Sequence, residues 1–153
     1  MFSRCAGILF SRKARKRLLG CVAASENRYE VGGLLLGYRL WRLHYISGIT
    51  VPRGADTGSI VSFTLDGPVH MEQAAAFPAP LFFKPSILGT WHSHICDGAH
   101  FSRQDQLANE AMAAELGGAL AIVAFMPVDV PEFAATYITP KLTPVPCRFF
   151  FRH

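Results

Sequence analysis

Charged residues are scarce in this chain: they fill 17% of its 153 positions, against 50% for hydrophobic ones. That balance excludes an intrinsically disordered protein, which needs low hydrophobicity and high charge to stay unfolded. Long apolar runs are missing too. No stretch approaches the ~18–20 residues that a membrane-spanning helix requires, so no membrane partner is expected. The opening MFSRCAGILFSRKARKR does not read as a signal peptide. Its apolar stretch is short, and the basic cluster follows that stretch where it should precede it. A cytoplasmic protein is the simplest reading. Cysteines number four, Cys5, Cys21, Cys96 and Cys147, with no C-x-x-C pair among them. This excludes a zinc knuckle and favours reduced thiols over a disulfide framework. Internal repeats, low-complexity tracts and long linkers are absent as well. A single domain over 1–153, built on one apolar core, is therefore expected.

Acidic residues are outnumbered, 11 to 15, for a net charge of +4. Five of the fifteen basic residues sit together as Arg12, Lys13, Arg15, Lys16 and Arg17. Elsewhere the chain is nearly neutral, so global charge gives no case for a nucleic-acid partner. The basic run reads as a solvated helix face. It is oddly placed, because the macrodipole disfavours cations at a helix N-terminus. Contact with an acidic protein surface or a nucleic acid is the alternative reading.

The hydrophobic pattern alternates strand and helix. Residues 6–10 (AGILF) form a short apolar strand, and Ser11 can cap a helix over 12–25 whose Ala14, Leu18 and Val22 make one apolar face. Glu30 to Arg53 reads as two strands, with Gly32, Gly33 and Gly37 allowing close backbone approach. A loop over 54–61, a helix over 66–77 and a turn rich in proline (Pro78, Pro80, Pro85) follow. SILGTWHSHI (86–95) reads as a buried strand, and Ser102 opens a helix closed by Gly117 and Gly118. Strands over 119–128 and 132–139 come next, and PVPCRFFFRH is expected at a sheet edge. This order predicts an α/β (α+β) fold, a mixed sheet with helices packed on it.

The chemistry concentrates in His92-Ser93-His94 and, seven residues further on, Ser102-Arg103-Gln104-Asp105. On a strand, residues i and i+2 share a face, so His92 and His94 present two imidazoles side by side. Asp105, in the first turn of the next helix, can fold back onto them. Two histidines and one carboxylate leave a fourth tetrahedral position open, as a hydrolytic Zn2+ site requires. Glu30, ahead of G-G-L-L-L-G, is the candidate general base, with Glu26 as its neighbouring competitor. Ser102 can donate its hydroxyl to an oxyanion. Ser-x-x-Asp also has a plainer reading, as the capping box of a helix start, and both roles can hold in part. Ser93 should point away from the metal and serve a structural end. Cys96 and His100, between the ligands, read as a loop thiol and a solvated imidazole, with a second metal site as the alternative. His44, His70 and His153 have no partner spacing.

Glu30 followed by H-S-H-x7-S-x-x-D resembles the signature of the JAMM (JAB/MPN-domain) zinc metalloproteases, in the style of a small prokaryotic, deubiquitinase-like member. Ile95-Cys96 stand where many members carry proline after the second histidine, which touches loop shape and not the ligands. The resemblance implies a cytidine-deaminase-like fold and hydrolysis of peptide or isopeptide bonds after ubiquitin-like modifiers. Such modifiers and their conjugates would be the partners, with activating-like and conjugating-like enzymes nearby. Sheet edges beside Glu30–Tyr38 and the loop Ile95–Phe101 are the expected walls of a groove for the modifier tail. A non-catalytic MPN-type binding module and a sulfur-carrier-processing peptidase are the alternatives. A zinc deaminase would need P-C-x-x-C, which the chain lacks.

Overall fold

The computed structural model describes residues 6–26, 28–52, 57–58, 63–64, 67–79, 83–96, 98–127 and 130–150. Cys5, Pro80, His153 and much of the expected 54–61 loop lie outside the described residues. Seven strands form one sheet: β1 (Ala6–Phe10), β2 (Gly32–Leu40), β3 (Leu43–Ile49), β6 (Ser86–His94), β7 (Ala119–Phe125), β8 (Glu132–Ile138) and β9 (Pro144–Phe150). A separate two-stranded ladder pairs β4 (Thr57–Gly58) with β5 (Phe63–Thr64). The described helices are α1 (Arg12–Ala24), α2 (Gly67–Ala76) and α3 (Arg103–Leu116).

The sheet closes into a barrel in the order β1-β3-β2-β6-β7-β8-β9. This corrects the expected architecture. An α/β (α+β) mixed sheet packed by helices, of the cytidine-deaminase-like JAB/MPN kind, is replaced by a mostly-β barrel carrying three short helices. The segment expected at an edge makes the closure: β9 pairs antiparallel with β8 and parallel with β1, Ala6 against Cys147 and Leu9 against Phe150. Closure removes every open edge from this sheet.

Alternation along the strands fills the interior. Ile8, Leu35, Ile46, Trp91, Leu120 and Ile122 meet there, fully or almost fully buried. Helix α1 lays Ala14, Leu18 and Val22 into the same core, and Ser11 caps it by accepting from the Ala14 N–H at 3.1 Å. Each such side chain contributes about 1.5–3 kcal/mol on full burial. Helix α2 covers the outer face of β2 through Leu34, Leu36 and Ala74. Helix α3 packs Ala113 against Ala119 and Ile138, and lies along β6, β7 and β8.

One irregularity decides which residues of β6 face out. Leu35 pairs with Gly89 but Leu36 pairs with Ile87, so Leu88 is an extra residue in the ladder. Gly89 permits this bulge, because a Cβ there would stand 1.7 Å from the Leu120 carbonyl oxygen. Beyond the bulge, Trp91 turns into the core. By the two-residue alternation Ser93 follows it, and His92 and His94 face outward toward α3.

Candidate metal centre

The outer face of β6 brings the two histidines together. Nε2 of His92 and Nε2 of His94 stand 3.1 Å apart. Ser102 precedes α3 as its N-cap, and Asp105 sits in the first turn. From there the Asp105 carboxylate reaches both imidazoles, Oδ1 at 3.2 Å from His92 Nε2 and Oδ2 at 3.3 Å from His94 Nε2. Zinc bonds to nitrogen and oxygen run about 2.0–2.1 Å, so adjacent ligand atoms of a zinc tetrahedron stand about 3.3 Å apart. The imidazole pair stands near that edge length, the two carboxylate oxygens each approach one imidazole, and with one ligand atom per residue all three lie within 4.8 Å of one another. Among the described residues this is the one group of three or more histidine, cysteine and acidic side chains able to hold a metal ion.

Glu30 joins from two residues before β2. Gly32 pairs with His92, the Ser93 N–H donates to the Val31 carbonyl, and Glu30 feels the charges of His92 and Asp105. Glu30 and Gly32 lie on the face of the sheet that carries both imidazoles. Glu30 is buried, and that burial lifts its carboxyl to about 7; nearby His92 opposes the rise and Asp105 adds to it. Asp105 behaves in the opposite way. Burial pushes it up, but hydrogen bonds from His92 and Ser102, with the charge of His92, outweigh burial and hold it well below the usual carboxylate range. His94 is lowered by burial first and by His92 second, against Asp105 and a hydrogen bond to the Gly98 backbone. A histidine tied to a backbone group through one nitrogen offers the other in a fixed orientation. The set thus holds a neutral imidazole and an ionised carboxylate ready to ligate, beside a second carboxyl poised near neutrality.

No protein-family model and no curated protein matches this chain. Solved structures do. The solution structure of protein DSY2949 from Desulfitobacterium hafniense matches with a TM-score of 0.65 at 16% identity, covering 95% of this chain and 94% of that one. At that identity the likeness is one of fold alone.

The structure thus gathers His92, His94 and Asp105, with Glu30 beside them. Glu26 is exposed and ion-paired to Arg28. Ser102 and Asp105 form the full capping box: the Asp105 N–H donates to Ser102 Oγ at 3.1 Å, and the Ser102 N–H donates to Asp105 Oδ2 at 2.8 Å. The cap therefore orients the ligand. Cys96 and His100 are exposed, although the His100 ring stands edge-on to His94 at 5.4 Å. The expected sheet edge beside Glu30–Tyr38 is corrected by the barrel: β2 is paired on one side with β3 and on the other with β6, so no substrate strand can add there.

Two supporting residues escaped the sequence reading. His70, buried on α2, bonds through Nδ1 to Thr50 Oγ1, which also accepts from the Leu34 N–H at 2.7 Å. The Thr50 carbonyl takes the Trp91 indole N–H at 3.2 Å. This chain of bonds ties α2 to β2 and β6 behind the ligands. A lone histidine and a lone threonine twenty residues apart carry no spacing signal.

Proposed function

We propose that this protein is a zinc-dependent peptidase acting on the peptide or isopeptide bond after the C-terminal tail of a ubiquitin-like modifier. One observation carries the hydrolytic reading: the convergence of two imidazole nitrogens and a carboxylate at zinc-ligand separations, with buried Glu30 alongside. The modifier-specific reading is supported by the sequence resemblance to the JAMM signature and rests on the site, not on the fold.

His92, His94 and Asp105 would hold the zinc. When bound, the ion would acidify water and polarise the scissile carbonyl. Glu30 accepts a proton from the entering water and returns it to the leaving amine nitrogen. Ser102 Oγ accepts from the helix backbone and keeps its own proton free for the developing oxyanion. Asp105 stays ionised because Ser102 and His92 bond to it.

The test compares two substrates for zinc-loaded protein: a ubiquitin-like protein fused through its tail to a target, and a free peptide of the same junction. Cleavage of the fusion that requires both zinc and Glu30 is the expected result. Equal kcat/KM for the two substrates would leave a general peptidase. No cleavage of either by fully zinc-loaded protein would overturn the hydrolytic reading.

A further inference from the structure

The face of α1 that carries Lys13, Lys16 and Arg17 borders a groove. A surface groove of about 940 Å³ is walled by Lys13, Lys16 and Arg17 and floored by Cys21, Val31 and Val51. Tyr29 and Val31, the two neighbours of Glu30 in the chain, both line it. A second groove of about 590 Å³ shares Lys13 and Arg17 and runs on toward α2. Among the described residues neither Glu30 nor His92, His94 or Asp105 lines either groove, and Glu72 on α2 adds an acid to the second one.

The wall is costly as the protein stands. Helix α1, RKARKRLLGCVAA, contains no acidic residue, and its first turn holds the cations Arg12, Lys13 and Arg15. Positive charge at a helix N-terminus opposes the macrodipole. Lys13 and Arg17 add an i, i+4 like-charge pair. An anionic occupant would relieve both terms. The floor says which kind. It is apolar, and among the described residues Tyr29 is the one aromatic side chain lining the larger groove, so these offer no row of stacking platforms for a nucleic-acid strand. From Lys13 to Arg17 the wall rises about 6 Å. That matches two to three residues of extended polypeptide at about 3.3 Å each.

We propose that this groove binds an acidic, extended stretch of polypeptide carrying an apolar side chain, with its carboxylates on Lys13, Lys16 and Arg17 and its apolar group between Cys21, Val31 and Val51. The binding itself does not depend on hydrolysis.

The experiment titrates the Glu30→Gln protein, chosen for its expected loss of roughly 10²–10⁴ in turnover, into a labelled short peptide alternating Asp or Glu with Leu, read by fluorescence anisotropy. A single-stranded oligonucleotide of equal charge is the competitor. The expected result is saturable peptide binding that weakens with salt, and about a tenfold loss in the triple variant Lys13→Glu, Lys16→Glu, Arg17→Glu, from three partly screened ion pairs. The triple variant should keep its zinc content and melting temperature; if it does not, the milder triple change to Gln is read instead, with loss of salt dependence as the expected sign. Unchanged affinity in the charge variants, or tighter binding of the oligonucleotide than of the peptide, would overturn the proposal. Because zinc content and binding are measured apart from cleavage, failure here leaves the peptidase reading standing, and the converse holds.

Discussion

Ser93 and Val31 hold each other twice: the Ser93 N–H donates to the Val31 carbonyl at 2.7 Å, and the Val31 N–H donates to Ser93 Oγ at 2.9 Å. The side chain that lies between the two ligand histidines therefore fixes the residue next to Glu30. Ser93→Ala should leave the buried Val31 N–H without this acceptor, at a cost of about 1–3 kcal/mol. Zinc content should hold while kcat falls, and Ser93→Thr should restore both stability and rate. Melting temperature, metal analysis and kcat measured together check this.

Purified protein should carry one zinc per chain. His92→Ala, His94→Ala and Asp105→Ala should each lose it. At free zinc one hundred times the Kd, wild type should gain about 2.7 kcal/mol of unfolding free energy. Elemental analysis and chemical denaturation with and without chelator are the measurements, and zinc-independent stability in wild type would count against the site.

Glu30→Gln should keep zinc and lose roughly 10²–10⁴ in turnover. It should also change the pH dependence of stability in the metal-free protein. Folded Glu30 holds its proton up to about 7, whereas the unfolded carboxyl releases it near its ordinary 4.5. The folded state therefore binds more protons between those values, and the Glu30 contribution falls as pH rises from 4.5 through 7. Denaturant midpoints of wild type minus Glu30→Gln should decline across that window. A flat difference would place Glu30 in water.

Ser102→Ala separates cap from catalysis. Loss of the cap alone costs about 1 kcal/mol of stability. Loss of an oxyanion donor costs on the order of 10²–10³ in kcat. Both losses are expected, since the hydroxyl accepts from Asp105 and still has a proton to give. A lowered melting temperature with an unchanged rate would assign Ser102 to the helix only.

Gly89→Ala should be among the most damaging single changes outside the ligands. The added Cβ would meet the Leu120 carbonyl at 1.7 Å, a contact that only backbone movement relieves. The expected cost is at or above the ~3 kcal/mol upper end for overpacking. Straightening the bulge would also turn His92 and His94 by one residue toward the core. Loss of zinc binding greater than the loss of stability explains is the specific sign.

The convergence of His92, His94 and Asp105 into a group able to hold a metal ion was legible because it depends on local rules. Two-residue alternation put His92 and His94 on one face, and the capping chemistry of Ser102-x-x-Asp105 marked the helix start that brings the carboxylate back. The extent of α1 was legible in Ser11 and in Ala14, Leu18 and Val22. The barrel was not. PVPCRFF alternates as an edge strand would, and nothing near it signals that its partner is Ala6–Phe10 at the far end of the sequence. The bulge at Leu88 and Gly89 was hidden for a related reason, since its cause is the Leu120 carbonyl on a neighbouring strand. Ser93 read as structural, but its partner Val31 became visible only with the β2–β6 register.

Pairing of β1 with β9 also constrains how the protein is made. Ile8 and Phe10 leave the ribosome before every other described strand, and the strand that completes their ladder is the last described one to follow. Contacts of such long sequence separation form slowly, because a large loop must be ordered before they reward it. During that interval the β1 backbone offers unsatisfied hydrogen-bonding groups to any other nascent strand. Translation pauses between β8 and β9 should therefore raise aggregation more than pauses elsewhere, and holdase chaperones should engage the chain until Pro144–Phe150 arrives.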